Sequence, residues 1–325
     1  MRRFGRQGEQ AMTEPAPIGL AVDLSTKGVA KIVPVSANGR FENTAIQSFS
    51  DVSASTLTGA FMDVERITGQ SLRNMNVALA IPGVPGRTTM PVLRSRWMLS
   101  REGLDQFFGH PVTIVNDGTA KAWGALSEPG CETPVGDTPR LAPLSELGRR
   151  ALIQFEAGLG AVLIDHDPTS SYMVLQTEMG HLSFAAADEL DDRFVAELRG
   201  TRQPTSWESA LRVAQGVQPS ATFSTLSTAQ KQDLMIRWAA CFVSSVVLAG
   251  CAWEGAYLTG SGWSFLKQPN AAKLFMAHVR RSRVFPRQFE TLSCWLVEQD
   301  EDVLRGCAQI LSRSAANASP GRDGM

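Results

Sequence analysis

Short apolar runs and helix-spaced apolar positions alternate along the whole chain, and their different periods distinguish strands from helices. In the first half, the pattern predicts strands at 18–24, 29–35, 41–49, 76–81 and 112–117, and helices at 53–69 and 100–109. A further helix is predicted to begin near Gly118. The Asn-Gly pair in "ANGR" (37–40), between the second and third strands, is typical of a tight hairpin turn.

The same order of elements recurs in the second half. Strands are predicted at 151–157, 160–165, 171–176, 256–260 and 289–298, and helices at 228–252, 270–280 and 301–313. Two β-β-β-α-β-α-β-α units in one chain predict a duplicated α/β fold with two domains around a cleft. Residues 127–150 are rich in Pro, Gly and polar residues, and we interpret them as a surface loop between the halves.

Composition narrows the class of protein. With 325 residues, of which 43% are hydrophobic, the chain is long enough to bury two cores. The formal net charge is -1 and no long run of either sign occurs, so we expect neither nucleic acid nor a membrane as a partner. The five cysteines are widely spaced and form no Cys/His motif, which favours a cytoplasmic protein without a protein-bound metal.

The two ends of the chain are polar or rich in small residues. We therefore predict a disordered lead at 1–16 and a frayed tail at 316–325.

Asn116 and Asp117 end the apolar strand "VTIVND", at the position where open α/β sheets bind their ligands. Asp117 can be interpreted in two ways. It can cap the next helix, since Asp and Asn are among the preferred capping residues. Alternatively, it can act as a general base on a substrate hydroxyl. The other motifs of the chain decide between these interpretations.

Two acidic motifs lie in the second half. In "LQTEMGHLSF", Glu178 and His181 are three residues apart, and a turn at Met179-Gly180 would direct both side chains at one ligand. Glu208 lies near the start of a predicted helix in "TSWESALR". Each motif alone also has a structural explanation. His181 could be held by hydrogen bonds to the backbone, and Glu208 could make a favourable contact with the helix dipole.

Together, these motifs resemble the bacterial glucokinases of the hexokinase/actin/Hsp70 fold group, over about residues 17–315. The resemblance rests on "IVNDGTAKAWGAL", "TEMGHLSF", Glu208 and the glycine turn "YLTGSG". It implies the ribonuclease H-like, actin-like ATPase fold, with a small domain of 17–114 plus about 301–315 and a large domain of 115–300. It also implies ATP with Mg²⁺, a hexose substrate and a homodimer.

The resemblance implies a role for each motif. Asp117 would take the proton from the sugar 6-hydroxyl. The other sugar hydroxyls would be bound by Asn116, Glu178, His181 and Glu208, whose oxygen and nitrogen atoms suit groups that both donate and accept. Nucleotide binding would involve Asp23, Ser25, Thr26, Lys27, Gly158, Gly160 and Gly260.

Both phosphate-binding hairpins depart from the family pattern. The first reads Asp-x-Gly-Gly-Thr-Asn-x-Arg in the family, but "VDLSTKGVAKI" here has Ser25 and Thr26 in place of the paired glycines. Glycines at such positions let backbone N–H groups close on phosphate oxygens. The second hairpin, Gly-Thr-Gly-Leu-Gly in the family, is "EAGLG" (156–160).

Glu156 is the more serious departure, because a carboxylate about 4 Å from a phosphate is repelled by roughly 4 kcal/mol at an effective dielectric constant near 20. We hypothesise that Lys27 compensates by approaching Glu156 in the absence of nucleotide.

The third departure lies on the sugar side, where the family has Thr-Asn-x-x-Trp. Trp97 is retained, but Arg94 stands at the asparagine position. Arg94 either favours a phosphorylated or acidic sugar or blocks the pocket.

Two functions follow from this pattern. The first is an ATP-dependent, glucokinase-type sugar kinase that transfers the γ-phosphate to the 6-hydroxyl of glucose or a related hexose. The alternative is a catalytically weakened paralogue that acts as a sugar-binding sensor or regulatory protein, because degenerate phosphate loops coexist with retained sugar residues.

Overall fold

A computed structural model describes residues 17–127, 130–145, 148–167, 171–281 and 284–318. The chain forms two compact units. Unit 1 contains the residues up to Val115 together with those from Cys307 onward, and unit 2 contains Asn116–Gly306. The predicted disordered lead and most of the predicted tail lie outside the described residues.

The sheet of unit 1 is mixed. The described strands of the first half are β1 (Gly19–Asp23), β2 (Val29–Val35), β3 (Gln47–Ser50), β4 (Asn76–Ile81), β5 (Thr89–Pro91), β6 (Met98–Ser100) and β7 (Thr113–Asn116). Five of them form one sheet in the order β3-β2-β1-β4-β7, while β5 pairs with β6. Strand β1 is antiparallel to β2 and parallel to β4. The paired β5 and β6 strands were not predicted.

The helices of unit 1 end at capping residues. They are α1 (Leu57–Thr68) and α2 (Arg101–Phe108). The side chains of Thr56 and Ser100 accept hydrogen bonds from backbone N–H groups of the first turns, and Gly69 and Gly109 end the helices in the left-handed conformation. Both predicted helices are confirmed, and the first begins later than predicted because Thr56 is its cap.

The core of unit 1 packs between the sheet and these helices. The rings of Phe61 and Phe108 meet edge to face with centroids 5.0 Å apart. The buried Trp97 donates a hydrogen bond from Nε1 to the Ala54 carbonyl at 2.8 Å. This bond fixes the short β5–β6 sheet to the core.

The predicted tight hairpin between β2 and β3 is wrong in length. Gly39 does adopt the left-handed conformation, with φ of 73°, in a local turn in which its N–H donates to the Ser36 carbonyl. Strand β3 begins only at Gln47, however, and a 3-10 helix at Asn43–Ala45 lies in the connection. The Asn-Gly pair therefore predicts the turn correctly but not the pairing of the strands.

Unit 2 repeats the architecture of unit 1. Its described strands are β8 (Glu132–Pro134), β9 (Arg149–Phe155), β10 (Leu159–Asp167), β11 (Ser171–Gln176), β12 (Ala256–Thr259) and β13 (Cys294–Val297). The sheet order is β11-β10-β9-β12-β13-β8, so its first five strands repeat the order of unit 1. The predicted duplication of an α/β unit is confirmed.

Strand β8 corrects the interpretation of 127–150 as a surface loop. It pairs antiparallel with β13, and the adjacent Val135 is buried, as is Leu144. Proline is tolerated at the edge of a sheet, so Pro134 does not prevent pairing there. A composition typical of loops therefore concealed an edge strand and part of the core.

The remaining helices belong to unit 2, except that the last of them continues into unit 1, which contains its residues from Cys307 onward. They are α3 (Asp117–Ser127), α4 (Glu189–Gly200), α5 (Trp207–Ala214), α6 (Ala221–Ser224), α7 (Thr228–Gly250), α8 (Pro269–Val279), α9 (Pro286–Glu290) and α10 (Asp302–Ala318). By length and composition α7 could cross a bilayer, but 61% of its most apolar window is buried inside the protein, and it packs against α5 and α8. Helix α10 continues to Ala318, past residue 316, where the tail was predicted to begin.

Glycines bring α3 close to the first turn of α10. A Cβ atom on Gly306 would overlap the carbonyl oxygen of Ala120, and one on Gly124 would overlap the carbonyl oxygen of Asp302. The side chains of the two helices can therefore interact at short range within unit 2.

We expect Gly306→Ala to lower the free energy of unfolding by about 1–3 kcal/mol, the usual cost of overpacking. Urea denaturation measures this change. Gly200→Ala is the matched control, because no atom lies within 4 Å of its added Cβ and alanine favours helix over glycine. Equal denaturation midpoints for Gly306→Ala and the unmodified chain would contradict the close helix contact.

Candidate active site

Helix α3 begins directly at the end of β7, and this junction positions Asn116 and Asp117. The Asn116 Oδ1 atom accepts hydrogen bonds from the N–H groups of Gly118 at 2.9 Å and Thr119 at 3.3 Å. Asn116 is therefore the side chain that caps α3. Asp117 is the first helical residue and half-buried, and its Oδ1 atom accepts from the Gly118 N–H at 3.0 Å. Its role as a base stays a prediction.

Glu178, His181 and Glu208 lie together in unit 2. The His181 Nε2 atom is 3.8 Å from Glu178 Oε2, and its Nδ1 atom is 3.7 Å from Glu208 Oε2. The imidazole ring thus lies between two carboxylates. Glu178 and His181 are exposed and Glu208 is partly exposed, so the three side chains can be reached by a ligand.

The turn predicted between Glu178 and His181 is present as a 3-10 helix at Met179–His181. Gly180 is required there, because a Cβ atom would overlap the carbonyl oxygen of Leu159 at the start of β10. Met179 packs against the hydrophobic core of unit 2. Met179 therefore contributes to the core, while Glu178 and His181 on either side of the turn stay exposed.

Residues 156–158 form the hairpin between β9 and β10. The Glu156 N–H donates to the Gly158 carbonyl at 2.9 Å, and the Arg212 guanidinium donates to the Ala157 carbonyl at 2.8 Å. Arg212 also lies 3.7 Å from Glu208 Oε1. The same arginine therefore connects the glycine hairpin to the cluster of Glu178, His181 and Glu208.

Gly160 and Gly260 differ in their surroundings. No atom lies within 4 Å of a Cβ built on Gly160, whereas one on Gly260 would overlap Glu156 and the Phe155 carbonyl. Gly260 has a φ of 102° and follows β12. The turn after β12 therefore packs directly on the hairpin that contains Glu156.

Lys121 is a charged residue of this site that the sequence analysis missed. Its ammonium group is 3.0 Å from Glu156 Oε2 and 3.4 Å from Asp302 Oδ2. Burial would lower the pKa of Lys121, but the negative charges of Asp302 and Glu156, with a contribution from Asp117, raise it above its ordinary value. Lys121 is thus a stable cation. The signal was its position four residues after Asp117, on the same helix face.

Glu156 therefore has a counterion inside unit 2. The expected approach of Lys27 to Glu156 stays a prediction, because Lys27 belongs to unit 1.

In unit 1, Lys27 contributes to the electrostatic environment of Asp51. A hydrogen bond from the Arg96 backbone N–H lowers the pKa of Asp51, with smaller contributions from the Ser95 hydroxyl and the charges of Arg96 and Lys27.

The first hairpin of unit 1 carries the other predicted nucleotide residues. Asp23 is the last residue of β1 and is buried, and its Oδ1 atom accepts a hydrogen bond from the Ser25 N–H at 2.7 Å. The Val29 N–H donates to the Thr26 carbonyl at 3.1 Å. Ser25 is half-buried and Thr26 is exposed in this turn, so side chains stand where the family has paired glycines.

Arg94 lies in the turn between β5 and β6. It is exposed and adopts the left-handed conformation, with φ of 63°, which favours glycine and asparagine over arginine. The following residues anchor the turn on Asp51, which accepts hydrogen bonds from the Ser95 hydroxyl at 3.0 Å and the Arg96 N–H at 2.8 Å. Arg94 belongs to unit 1, whereas the cluster of Glu178, His181 and Glu208 belongs to unit 2.

Among the described residues, no group of three His, Cys, Asp or Glu side chains is arranged to hold a metal ion.

Comparisons with known proteins identify the family. The family model described as Glucokinase matches residues 26–218. No curated protein matches the chain significantly by sequence.

Among solved structures, the chain is similar to glucokinase from an Antarctic psychrotroph, with a TM-score of 0.69, 18% identity, and coverage of 90% of this chain and 98% of that one. It is also similar to Balamuthia mandrillaris glucokinase in complex with glucose, with a TM-score of 0.68, 14% identity, and coverage of 93% of this chain and 95% of that one. A ROK family transcriptional regulator, a homolog of E. coli MLC protein, matches with a TM-score of 0.54, 14% identity, and coverage of 91% of this chain and 78% of that one. At these identities the structures show the fold, which is the predicted actin-like ATPase fold.

We expect Arg212→Met to loosen the hairpin, because the hydrogen bond to the Ala157 carbonyl is lost. Deuterium uptake in a peptide spanning 155–160 should increase, as measured by hydrogen exchange and mass spectrometry. Arg199→Met, an exposed arginine on α4, is the matched control and should leave uptake unchanged. Identical uptake in both variants would show that Arg212 does not hold the hairpin.

Proposed function

Because the chain belongs to the glucokinase family, we propose that it is an ATP-dependent hexose kinase that phosphorylates the 6-hydroxyl of glucose or a related sugar. The observation that carries this proposal is the cluster of Glu178, His181 and Glu208 beside a glycine hairpin. A sugar site next to a phosphate site is the arrangement that phosphoryl transfer to a sugar requires.

The sugar is bound by groups that match its hydroxyls. The Glu178 and Glu208 carboxylates accept hydrogen bonds, and the His181 ring donates from one nitrogen and accepts at the other when it is neutral. The Asn116 amide is held at the start of α3 by its capping bonds and would contact the same sugar. The glucose bound to the Balamuthia glucokinase supports glucose as the first substrate to test.

Asp117 acts as the general base in this proposal. It accepts the proton of the 6-hydroxyl, and the resulting alkoxide-like oxygen attacks the γ-phosphorus while the bond from that phosphorus to the β,γ-bridging oxygen breaks and ADP leaves. Because Asn116 caps α3, the carboxylate of Asp117 is not required for that task. The position of Asp117 in the first helical turn favours its charged form through the helix dipole.

Each unit carries residues that we propose as nucleotide contacts. Gly160 leaves open space on the hairpin, and Arg212 supplies positive charge beside it. In unit 1 the proposed contacts are Asp23, Ser25, Thr26 and Lys27. Mg²⁺ bound with ATP would neutralise part of the phosphate charge. The proposal also includes a cytoplasmic location, as the cysteine pattern favours, and a homodimer, as the resemblance implies.

The second candidate function is a sugar-binding sensor without turnover. The carboxylate of Glu156 favours it, because it is half-exposed at the hairpin where a phosphate would bind. Under this alternative, the cluster of Glu178, His181 and Glu208 binds a sugar, and the protein binds no nucleotide.

We expect Asp117→Asn to reduce formation of glucose 6-phosphate by about 10²- to 10⁴-fold, the usual contribution of a general base, while glucose binding is retained. An enzyme-coupled assay measures the first effect, and calorimetry measures the second. Asp192→Asn is the matched control, since Asp192 is an exposed aspartate in the first turn of α4. Equal turnover by Asp117→Asn and the unmodified chain would exclude Asp117 as the base.

Binding of glucose without turnover in the unmodified chain, at saturating ATP and Mg²⁺, would instead favour the sensor.

A further inference from the structure

Lys121 is buried, with 3% of its side chain exposed, yet it carries a charge and lies between two carboxylates. Neither predicted role at this site, sugar binding or proton transfer, uses it. A buried ammonium group requires compensating charge, because removing it from water is costly. The two carboxylates that compensate it differ in how firmly they are held.

Asp302 is the fixed partner. Its side chain is 20% exposed, and it lies in the first turn of α10, where the packing of Gly124 and Gly306 holds the helix against α3. The distance between Lys121 and Asp302 is therefore set by the contact between two helices. The Asp302 Oδ1 atom also accepts a hydrogen bond from the Val303 N–H at 2.8 Å, which holds the carboxylate in place.

Glu156 is the partner that can leave. Its side chain is 42% exposed, and it lies in a short turn between β9 and β10. The carboxylate is connected to this turn by a flexible side chain, so a rotation moves it from Lys121 into solvent. Its backbone is held independently, by the bond from its N–H to the Gly158 carbonyl. The turn can therefore stay closed while the carboxylate moves.

The position of Glu156 is one that a phosphate would need. Its side chain packs against the Gly260 turn, and its backbone belongs to the hairpin of Gly158. A carboxylate that stays there repels an approaching phosphate, whereas a carboxylate that leaves exposes the ammonium of Lys121. Phosphate oxygens form strong charge-assisted hydrogen bonds with an ammonium group.

We propose that Lys121 is a phosphate-binding residue of this chain, and that Glu156 occupies its binding position until the polyphosphate of a nucleoside triphosphate displaces it. This inference rests on the proposed kinase function, which brings ATP to the hairpin. It assigns Glu156 the role of an internal competitor and Asp302 the role of the residue that holds Lys121 in place.

The test is a double-mutant cycle on ATP binding, measured by calorimetry without sugar so that no turnover occurs. The variants are Glu156→Gln, Lys121→Met and the two combined. Glu156→Gln should bind ATP about 10-fold more tightly, because the competing charge is removed. Adding Lys121→Met to Glu156→Gln should weaken ATP binding about 10- to 100-fold, the range expected when a hydrogen bond to a charged group is lost.

The combined variant separates two roles of Lys121. If Lys121 only neutralises Glu156, removing it after Glu156→Gln leaves ATP affinity unchanged, and this result would overturn the proposal. Unchanged affinity in Glu156→Gln alone would also overturn it. Lys121→Arg in the Glu156→Gln background should retain ATP binding, since arginine keeps the charge.

Two controls keep these outcomes interpretable. Glu298→Gln removes the carboxylate of another Lys–Glu pair in unit 2, with Lys267, and should leave ATP affinity unchanged. Glucose affinity reports whether each variant is folded, because the ion pairs within the cluster of Glu178, His181 and Glu208 do not include Lys121. If all variants bind ATP with equal affinity and the unmodified chain phosphorylates glucose, the inference about Lys121 is refuted and the kinase function stands. If the variants bind glucose but none of them binds ATP, both the inference and the kinase function are refuted.

Discussion

The ion pair between Lys121 and Glu156 is the interaction on which the arrangement of the candidate site depends. A buried cation is stable only if carboxylates are held beside it, and here they come from the β9–β10 hairpin and from α10. In the absence of nucleotide, α3, the hairpin and the first turn of α10 are therefore held together within unit 2. Because Lys121 follows Asp117 by one helical turn, the same constraint fixes the helix that carries the proposed base.

Arg212 links the cluster of Glu178, His181 and Glu208 to this arrangement. Its guanidinium holds the Ala157 carbonyl and lies beside Glu208, while Glu208 also lies beside His181. The proposed sugar and phosphate sites are therefore connected by one continuous set of polar contacts. In this proposal, the difference between a kinase and a sensor lies in Glu156 and in whether ATP displaces its carboxylate from Lys121.

Local patterns in the sequence predict the elements of this fold well. Helices α1 and α2 are found where apolar spacing is bounded by capping residues such as Thr56 and Gly109, and the duplicated strand order follows from the repeated pattern. Strand β8 is missed because its stability comes from pairing with β13, which lies far away in the sequence. The length of the β2–β3 connection is missed for the same reason, since the Asn-Gly turn does not fix the register.

The candidate site also has some features that the sequence predicts and others that it does not. The turn that joins Glu178 to His181 is predictable, because Gly180 marks it. The sequence does not indicate that Asn116, rather than Asp117, caps α3, since both residues suit that role. Nor does it predict the partner of Glu156. The choice among distant lysines is made by tertiary packing, and Lys121 is the partner because α3 packs against β9 and β10, the strands on either side of Glu156.

The most direct measurement is a crystal structure of the protein with glucose and a non-hydrolysable ATP analogue. The account predicts that the sugar 6-hydroxyl lies within hydrogen-bonding distance of Asp117, and that a phosphate oxygen replaces the Glu156 carboxylate on Lys121. A complex in which glucose lies away from Asp117, or in which Glu156 stays paired with Lys121 while the nucleotide is bound, would contradict it.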